Sequence, residues 1–338
     1  MKNLLKNTAL ALFSILITAL LIEGLSRLVY PIQYGHKYFD LAGGPLYVLQ
    51  EGPALKPDME FRQITQEFNK LTTHTARGFR GPAGGFMDPG QPHTIFIGDS
   101  MTYGIGLADL ETIPAQYCRL KKRDCINLGQ PGSSTYDQVK TLKYFLSTYR
   151  WRPKQVYLMM NVMTSALFSG NDLTDNLNDV LQADKKPDQD NASIEHAEQS
   201  VKKPVRIHHA LLGKSNLARL GYYIFAPVLR TKLAPDMERQ QLLDALEATK
   251  LQLLKLDALS RKYGFQTRIY IVHPMQDLTR GTYMKTVEDI RGIAPHTDVI
   301  GTGPALLDTG NPVEYYYPLD GHVRPSAAEK IAEFMARN

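Results

Sequence analysis

Apolar and polar positions divide the chain into three stretches of different grain. Lys2 and Lys6 precede an uncharged run from Thr8 to Ile22, which ends at Glu23 with Arg27 soon after. Counted from Leu4 to Val29, at about 1.5 Å per residue, this stretch is long enough to cross a hydrocarbon layer of roughly 30 Å. Residues 31–92 are rich in Gly, Pro and polar side chains, and one alternating piece, Phe61 to Phe68, predicts a strand or hairpin outside the main sheet. From His93 onward the pattern becomes strand, loop and helix, repeated.

The run His93–Ile97 has the β-branched and aromatic content of a buried parallel strand. A helix is predicted over Thr112–Leu120, where Pro114 is tolerated because it falls in the first turn. Cys125–Leu128 reads as a short second strand broken by Gly129-Gln130-Pro131-Gly132, and Gln155–Met160 as a third. Between them, Val139, Leu142, Phe145 and Leu146 give helical periodicity to Tyr136–Tyr149. Residues 172–205 interrupt this order: Asp184–Ser193 and the polar residues after it offer nothing to a core and predict a surface loop. Apolar helical material follows from His209 to Leu229, then a long amphipathic helix from about Met237 to Tyr263, closed by Gly264. Arg268–Pro274 is the fourth predicted strand and Asp298–Ile300 the fifth, with a last helix after Pro325. Such alternation implies an α/β fold with a parallel sheet and helices on both faces. The expected division is an anchor over 1–30, a lead-in over 31–92 that wraps the core, and a main domain over 93–338 with an insertion at about 172–240.

At 338 residues the chain suits one large domain with insertions. Its net charge of +5 is mild and shows no basic stripe, so nucleic acid is not an expected partner. Lysines ahead of the apolar run place the N-terminus inside and the rest of the chain on the extracytoplasmic side of a cytoplasmic membrane. No small-x-small site follows the run, which favours an uncleaved anchor over a cleaved signal peptide. Cys118 and Cys125 have two readings, a disulfide joining the end of one helix to the next strand, or two buried thiols. No histidine cluster has metal-ligand spacing and no phosphate-binding glycine motif is present, so neither a metal nor a cofactor is expected.

Candidate chemistry begins at Gly98-Asp99-Ser100, a serine on a glycine-flanked turn after a strand. Open α/β sheets collect their chemistry at that end of their strands. Near the C-terminus Asp320 and His322 stand two apart on a loop ahead of a helix. A serine nucleophile needs a base, and the base needs a carboxylate to fix its tautomer and favour its cation. Taken singly, the serine also reads as a helix cap and the His-Asp pair as a surface hydrogen bond. His208 and His209 lie on helical material, and His273 follows a strand and precedes a proline, without comparable neighbours.

Four blocks together resemble the SGNH/GDSL hydrolases: Gly98-Asp99-Ser100, Asn127-Leu128-Gly129, Ser169-Gly170-Asn171-Asp172 and Asp320-Gly321-His322. The resemblance spans residues 75–338, including Arg77-Gly78-Phe79-Arg80-Gly81, and is similar to a membrane-anchored bacterial branch with Glu and Arg at the outer end of its anchor. It implies a flavodoxin-like, three-layer α/β/α sandwich in which Ser100 is the nucleophile, His322 the general base and Asp320 its orienter. The implied oxyanion hole consists of the Ser100 and Gly129 amides and the Asn171 side chain, while Asp99 holds the turn. Asn171 lies further from the third strand than is usual in the family, whereas Asn161 stands at that strand's predicted end. The local motif favours Asn171 and strand geometry favours Asn161. The implied activity is that of an extracytoplasmic serine esterase or O-acyltransferase working through an acyl-enzyme. Acyl esters of cell-envelope or exported polysaccharide are the expected substrates, with a small-ester or lipid esterase as the alternative. A silent carbohydrate-binding or scaffold protein of an envelope complex is the reading from a different class. The expected partners are an acylated carbohydrate or small ester, the membrane, and members of an envelope complex.

Overall fold

Alternating side chains on the central strands sort the core into two unlike layers. The computed structural model describes residues 2–29, 55–81 except 66, 90–162, 173–177 except 174, 215, 217, and 239–338 except 309 and 319. Helix α1 (Lys2–Val29) precedes a hairpin of β1 (Met59–Ile64) and β2 (Asn69–His74). Then follow β3 (Thr94–Gly98), α2 (Ser100–Tyr103), α3 (Ile113–Lys121), β4 (Cys125–Asn127), α4 (Thr135–Thr148) and β5 (Gln155–Met160). The remainder comprises α5 (Arg239–Tyr263), β6 (Gln266–Ile271), α6 (Met275–Arg280), α7 (Tyr283–Ile293), β7 (Asp298–Gly301) and α8 (Pro325–Arg337).

Five strands pair in parallel in the order β4-β3-β5-β6-β7. Counted within the sheet this is the flavodoxin-like order, whose switch point falls between its first and third strands, here β3 and β5. Ile95, Ile97, Val156, Leu158, Ile269 and Ile271 pack with α4, α5 and α7 on one face. Phe96, Tyr157, Met159 and Tyr270 pack with α3, α6 and α8 on the other. The parallel strands are apolar on both sides because helices cover both.

Local signals account for the helix ends. Thr112 caps α3 by accepting from the Ala115 amide, with Pro114 in the first turn, and Ser134 caps α4 by accepting from the Asp137 amide. Phe145 of α4 stacks on Tyr149 and on the fully enclosed Trp151. The fourth predicted strand differs from the observed one: β6 runs from Gln266 to Ile271, and Pro274 becomes the N-cap of α6. Neither α6 nor α7 stands out in the sequence, since α6 is a short helix and α7 buries only Thr286, Val287 and Ile290. Strand β2 was equally hidden, because its inward residues Thr72 and His74 are polar.

Cys118 and Cys125 form a disulfide between α3 and β4, with their Cα atoms 6.0 Å apart. Within α1, Lys6–Arg27 is long and apolar enough to cross a membrane, by length and composition. Near its end Glu23 accepts from Ser215 Oγ at 2.9 Å and the Leu217 amide at 2.8 Å, and it pairs with Arg27 at 2.7 Å. Most of the expected insertion at 172–240, and of the helical material over His209–Leu229, lies outside the described residues.

Candidate active site

The strand β3 ends at Gly98, where the chain turns at once into α2. A Cβ at Gly98 would overlap Thr102 Oγ1 and come 2.5 Å from the Met159 carbonyl oxygen, so only glycine permits this exit. Asp99 caps the helix by accepting from the Met101 amide at 2.9 Å. Ser100 is thereby set on the first turn, half-buried, with its hydroxyl donating weakly to Asp99 Oδ2 at 3.5 Å. Among the described residues the Ser100 amide donates to nothing.

The exit of β4 lies directly against this turn. At Gly129 a Cβ would overlap the Tyr103 amide and the Thr102 carbonyl carbon, which explains a glycine there. The Gly129 amide is engaged: it donates to Asn127 Oδ1 at 2.9 Å, while Asn127 Nδ2 donates to the Thr102 carbonyl at 2.9 Å. An oxyanion role for that amide therefore requires Asn127 to share it or give it up.

Buried Arg80 braces the same turn from the side. It donates to the carbonyls of Tyr103 at 3.2 Å and Leu107 at 2.9 Å, and its Nη1 pairs with Asp109. Asp109 also accepts from Thr73 Oγ1 at 2.6 Å. Burial pushes the Arg80 guanidinium down to about 10, which leaves it a cation at neutral pH. Leaving either charge alone in this interior would cost about 3–5 kcal/mol.

The carboxylate and imidazole arrive on a tight loop after a bridge between Tyr316 and Val323. The Tyr317 amide donates to the His322 carbonyl at 2.9 Å and the Gly321 amide to the Tyr317 carbonyl at 2.7 Å. His322 Nδ1 bonds Asp320 Oδ1. An ionised carboxylate only accepts, so Nδ1 carries the proton and Nε2 of the neutral ring is left to accept one. The side chains are 21% and 13% exposed, enough for a small group to reach the ring.

His322 is near enough for its charge to act on the Asp99 carboxyl. Burial pushes that carboxyl up from its ordinary range, and the Met101 amide, the His322 charge and hydrogen bonds from Asn161 and Ser100 pull it back. Asn161, the first residue after β5, is buried. The register pairs Gly98 with Met159, so the exits of β3 and β5 are neighbours at the switch point. Asp99, Ser100, Gly129 and Asn161 follow the carboxyl ends of β3, β4 and β5, and the Asp320–His322 pair lies on the loop before α8. Asn171 lies outside the described residues. Sequence reasoning missed Asn127 and Arg80 as supports, although both stand inside the motifs it quoted. Among the described residues no three His, Cys, Asp or Glu side chains are grouped as a metal ion would need.

No protein-family model and no curated protein matches the chain. Among solved structures it is similar to one described as a lipolytic protein of the G-D-S-L family from Desulfitobacterium hafniense, at 11% identity and a TM-score of 0.38, covering 72% of this chain and 97% of that one. It is also similar to a catalytic mutant of an acetylxylan esterase from Geobacillus stearothermophilus, at 14% identity and a TM-score of 0.36, covering 74% of this chain and 94% of the other. Likenesses this distant carry no argument about activity. The assignment of chemistry rests on the residues gathered at the switch point.

Proposed function

We propose that the chain is a serine ester hydrolase of the SGNH/GDSL kind. Ser100 Oγ attacks the ester carbonyl, His322 Nε2 takes the hydroxyl proton, and Asp320 orients the imidazole and favours its cation. The tetrahedral intermediate expels the alcohol, which leaves with the proton from His322. Water, or the hydroxyl of an acceptor sugar, then attacks the acyl-enzyme and regenerates Ser100. Negative charge on the carbonyl oxygen is met by the Ser100 amide and by an asparagine amide, each such donor being worth about 10²–10³ in rate. Asn161 is supported by its bond to Asp99 beside the serine, and Asn171 by its motif. Gly129 joins them when Asn127 yields its amide. The observation that carries the reading is the hydrogen-bonded Asp320–His322 pair, together with a serine set on the first turn after β3.

The proposed setting is extracytoplasmic, with α1 as the anchor and the Cys118–Cys125 disulfide suited to an oxidising compartment. The proposed substrates are acyl esters on cell-envelope or exported polysaccharide, and acyl transfer shares every step up to deacylation. Full-length protein in detergent is expected to hydrolyse p-nitrophenyl acetate faster than p-nitrophenyl palmitate; the reverse order moves the substrate class to lipid esters. Hydrolysis that survives Ser100→Ala sinks the mechanism. A second reading, a non-catalytic carbohydrate-binding protein, draws on the engaged Gly129 amide and on a serine hydroxyl directed at Asp99. Failure of a fluorophosphonate probe to label Ser100 in folded protein would put that reading first.

A further inference from the structure

The β1–β2 hairpin stands outside the central sheet, yet its turn touches both halves of the candidate site. Thr65 Oγ1 accepts from the Glu67 and Phe68 amides at 3.1 and 3.2 Å, and the Thr65 amide donates to the Phe68 carbonyl at 2.9 Å, which locks the turn. From it Glu67 Oε2 reaches the Asp320 loop and accepts the Asp320 amide at 2.8 Å. The ring of Phe68 packs against that of Tyr317 with centroids 4.8 Å apart. Tyr317 Oη donates to the Gly106 carbonyl at 2.9 Å, and the Gly106 amide donates to the buried Gln63 Oε1 of β1 at 2.8 Å. Gly106 lies in the segment that follows α2. The hairpin therefore closes a ring of contacts that runs from the Ser100 helix through β1 and the hairpin turn to the loop bearing Asp320 and His322.

We infer that Glu67 is a positioning residue for the Asp320–His322 pair, holding the Asp320 backbone so that the carboxylate meets His322 Nδ1 and the ring faces Ser100. This rests on the hydrolase reading above. Within the loop the Tyr317 and Gly321 amides and the Asp320–His322 contact are internal cross-links. Glu67 adds a tie from the Asp320 backbone to another element, and Tyr317 secures the start of the same loop. Loss of the Glu67 tie is expected to let the pair shift relative to Ser100. A displacement of about 1 Å in a reacting group is enough to cost up to about 10²-fold in rate.

The experiment compares wild type, Glu67→Ala, Glu67→Gln and Tyr317→Phe in full-length protein, reading kcat and KM on p-nitrophenyl acetate, the rate of Ser100 labelling by a fluorophosphonate, and the melting temperature. Wild-type labelling tests the hydrolase reading by itself; the variants are compared only once it occurs. Glu67→Ala is expected to lower kcat and the labelling rate about tenfold with KM within about twofold. Glu67→Gln, whose amide oxygen still accepts from Asp320, is expected to recover at least half of the lost activity on a logarithmic scale. Tyr317→Phe removes one hydroxyl without disturbing the ring packing and is expected to slow labelling about threefold, which keeps the test open should Glu67→Ala fold poorly. Rates of Glu67→Ala and Tyr317→Phe within twofold of wild type overturn the inference. So does a glutamine variant as slow as the alanine one, or a loss carried by KM alone.

Discussion

His322 and His273 both belong to the carboxyl end of the sheet, and their surroundings could hardly differ more. His322 is partly exposed and has a carboxylate on Nδ1, so its ring can take a proton and keep it for a while. His273 follows β6 into the interior, fully enclosed, with neither ring nitrogen bonded among the described residues and Tyr283 edge-on to it. Burial pushes His273 down to about 4, so it stays neutral wherever the protein is folded near neutral pH. The same imidazole is the proposed base in one place and an apolar filler in the other. What separates them is a partner for the cation and a path for the reacting group.

The sharpest way to break this contrast is to exchange the consequences. His322→Asn is expected to reduce kcat on p-nitrophenyl acetate by about 10⁴ or more, whereas His273→Asn leaves kcat within about twofold once folded protein is compared. Equal losses from the two would show that the contrast has been drawn at the wrong residues. Next in size is the proposed oxyanion asparagine. Asn161→Ala is expected to cost about 10²–10³ in kcat with little change in KM. If Asn171→Ala produces that loss and Asn161→Ala does not, Asn161 is a support for Asp99 alone.

A third effect reads the buried histidines through stability. His74 resembles His273 in being pushed down to about 4 by burial, with Tyr103 donating to its Nε2 at 2.8 Å. In the unfolded chain both rings titrate near 6.5. Below that pH the unfolded chain binds protons that the folded one refuses, so stability is full above about 6.5 and is lost as pH falls toward about 4. The loss is on the order of 3 kcal/mol for each ring. Melting temperatures measured from pH 7 to pH 4.5 should fall, and His273→Leu should flatten part of that fall; an unchanged pH profile in the variant would place the acid sensitivity elsewhere. The smallest expected effect lies away from the site. The Cys118–Cys125 bond closes a loop of sequence separation 7, and Cys118→Ser with Cys125→Ser is expected to lower unfolding stability by about 2.5 kcal/mol in urea titrations. Activity per folded molecule should stay the same.

Much of the central sheet was legible in advance. Strands β3, β4, β5 and β7 lie within a residue of the runs that announced them, because strands covered on both faces are written as unbroken apolar runs between breakers. The helices α3, α4 and α8 were marked by prolines in the first turn or by periodicity. The hairpin was half legible: Phe61 to Phe68 alternates, while β2 turns polar side chains inward. Thr72 there accepts from Gln63 at 2.8 Å and His74 bonds Tyr103, pairings whose partners are distant in the sequence.

Ser100, Asp320 and His322 could be picked out as candidates from the sequence because each sits in a short local pattern of glycine, carboxylate and turn. By itself the sequence determined which residue types stand at strand ends, where the glycines fall that allow sharp exits, and that the first helix carries an uncharged run from Thr8 to Ile22. Only the tertiary structure decided which of these meet. It placed Asn161 beside Asp99 through the pairing of β3 with β5, and gave the Gly129 amide to Asn127. It carried Glu67 to Asp320 across 253 positions and, among the described residues, gave His273 no partner for a cation. Periodicity and turn chemistry act within a few residues and can be read along the chain. Hydrogen bonds and burial act through space, and the order of strands in the sheet sets which distant residues share it.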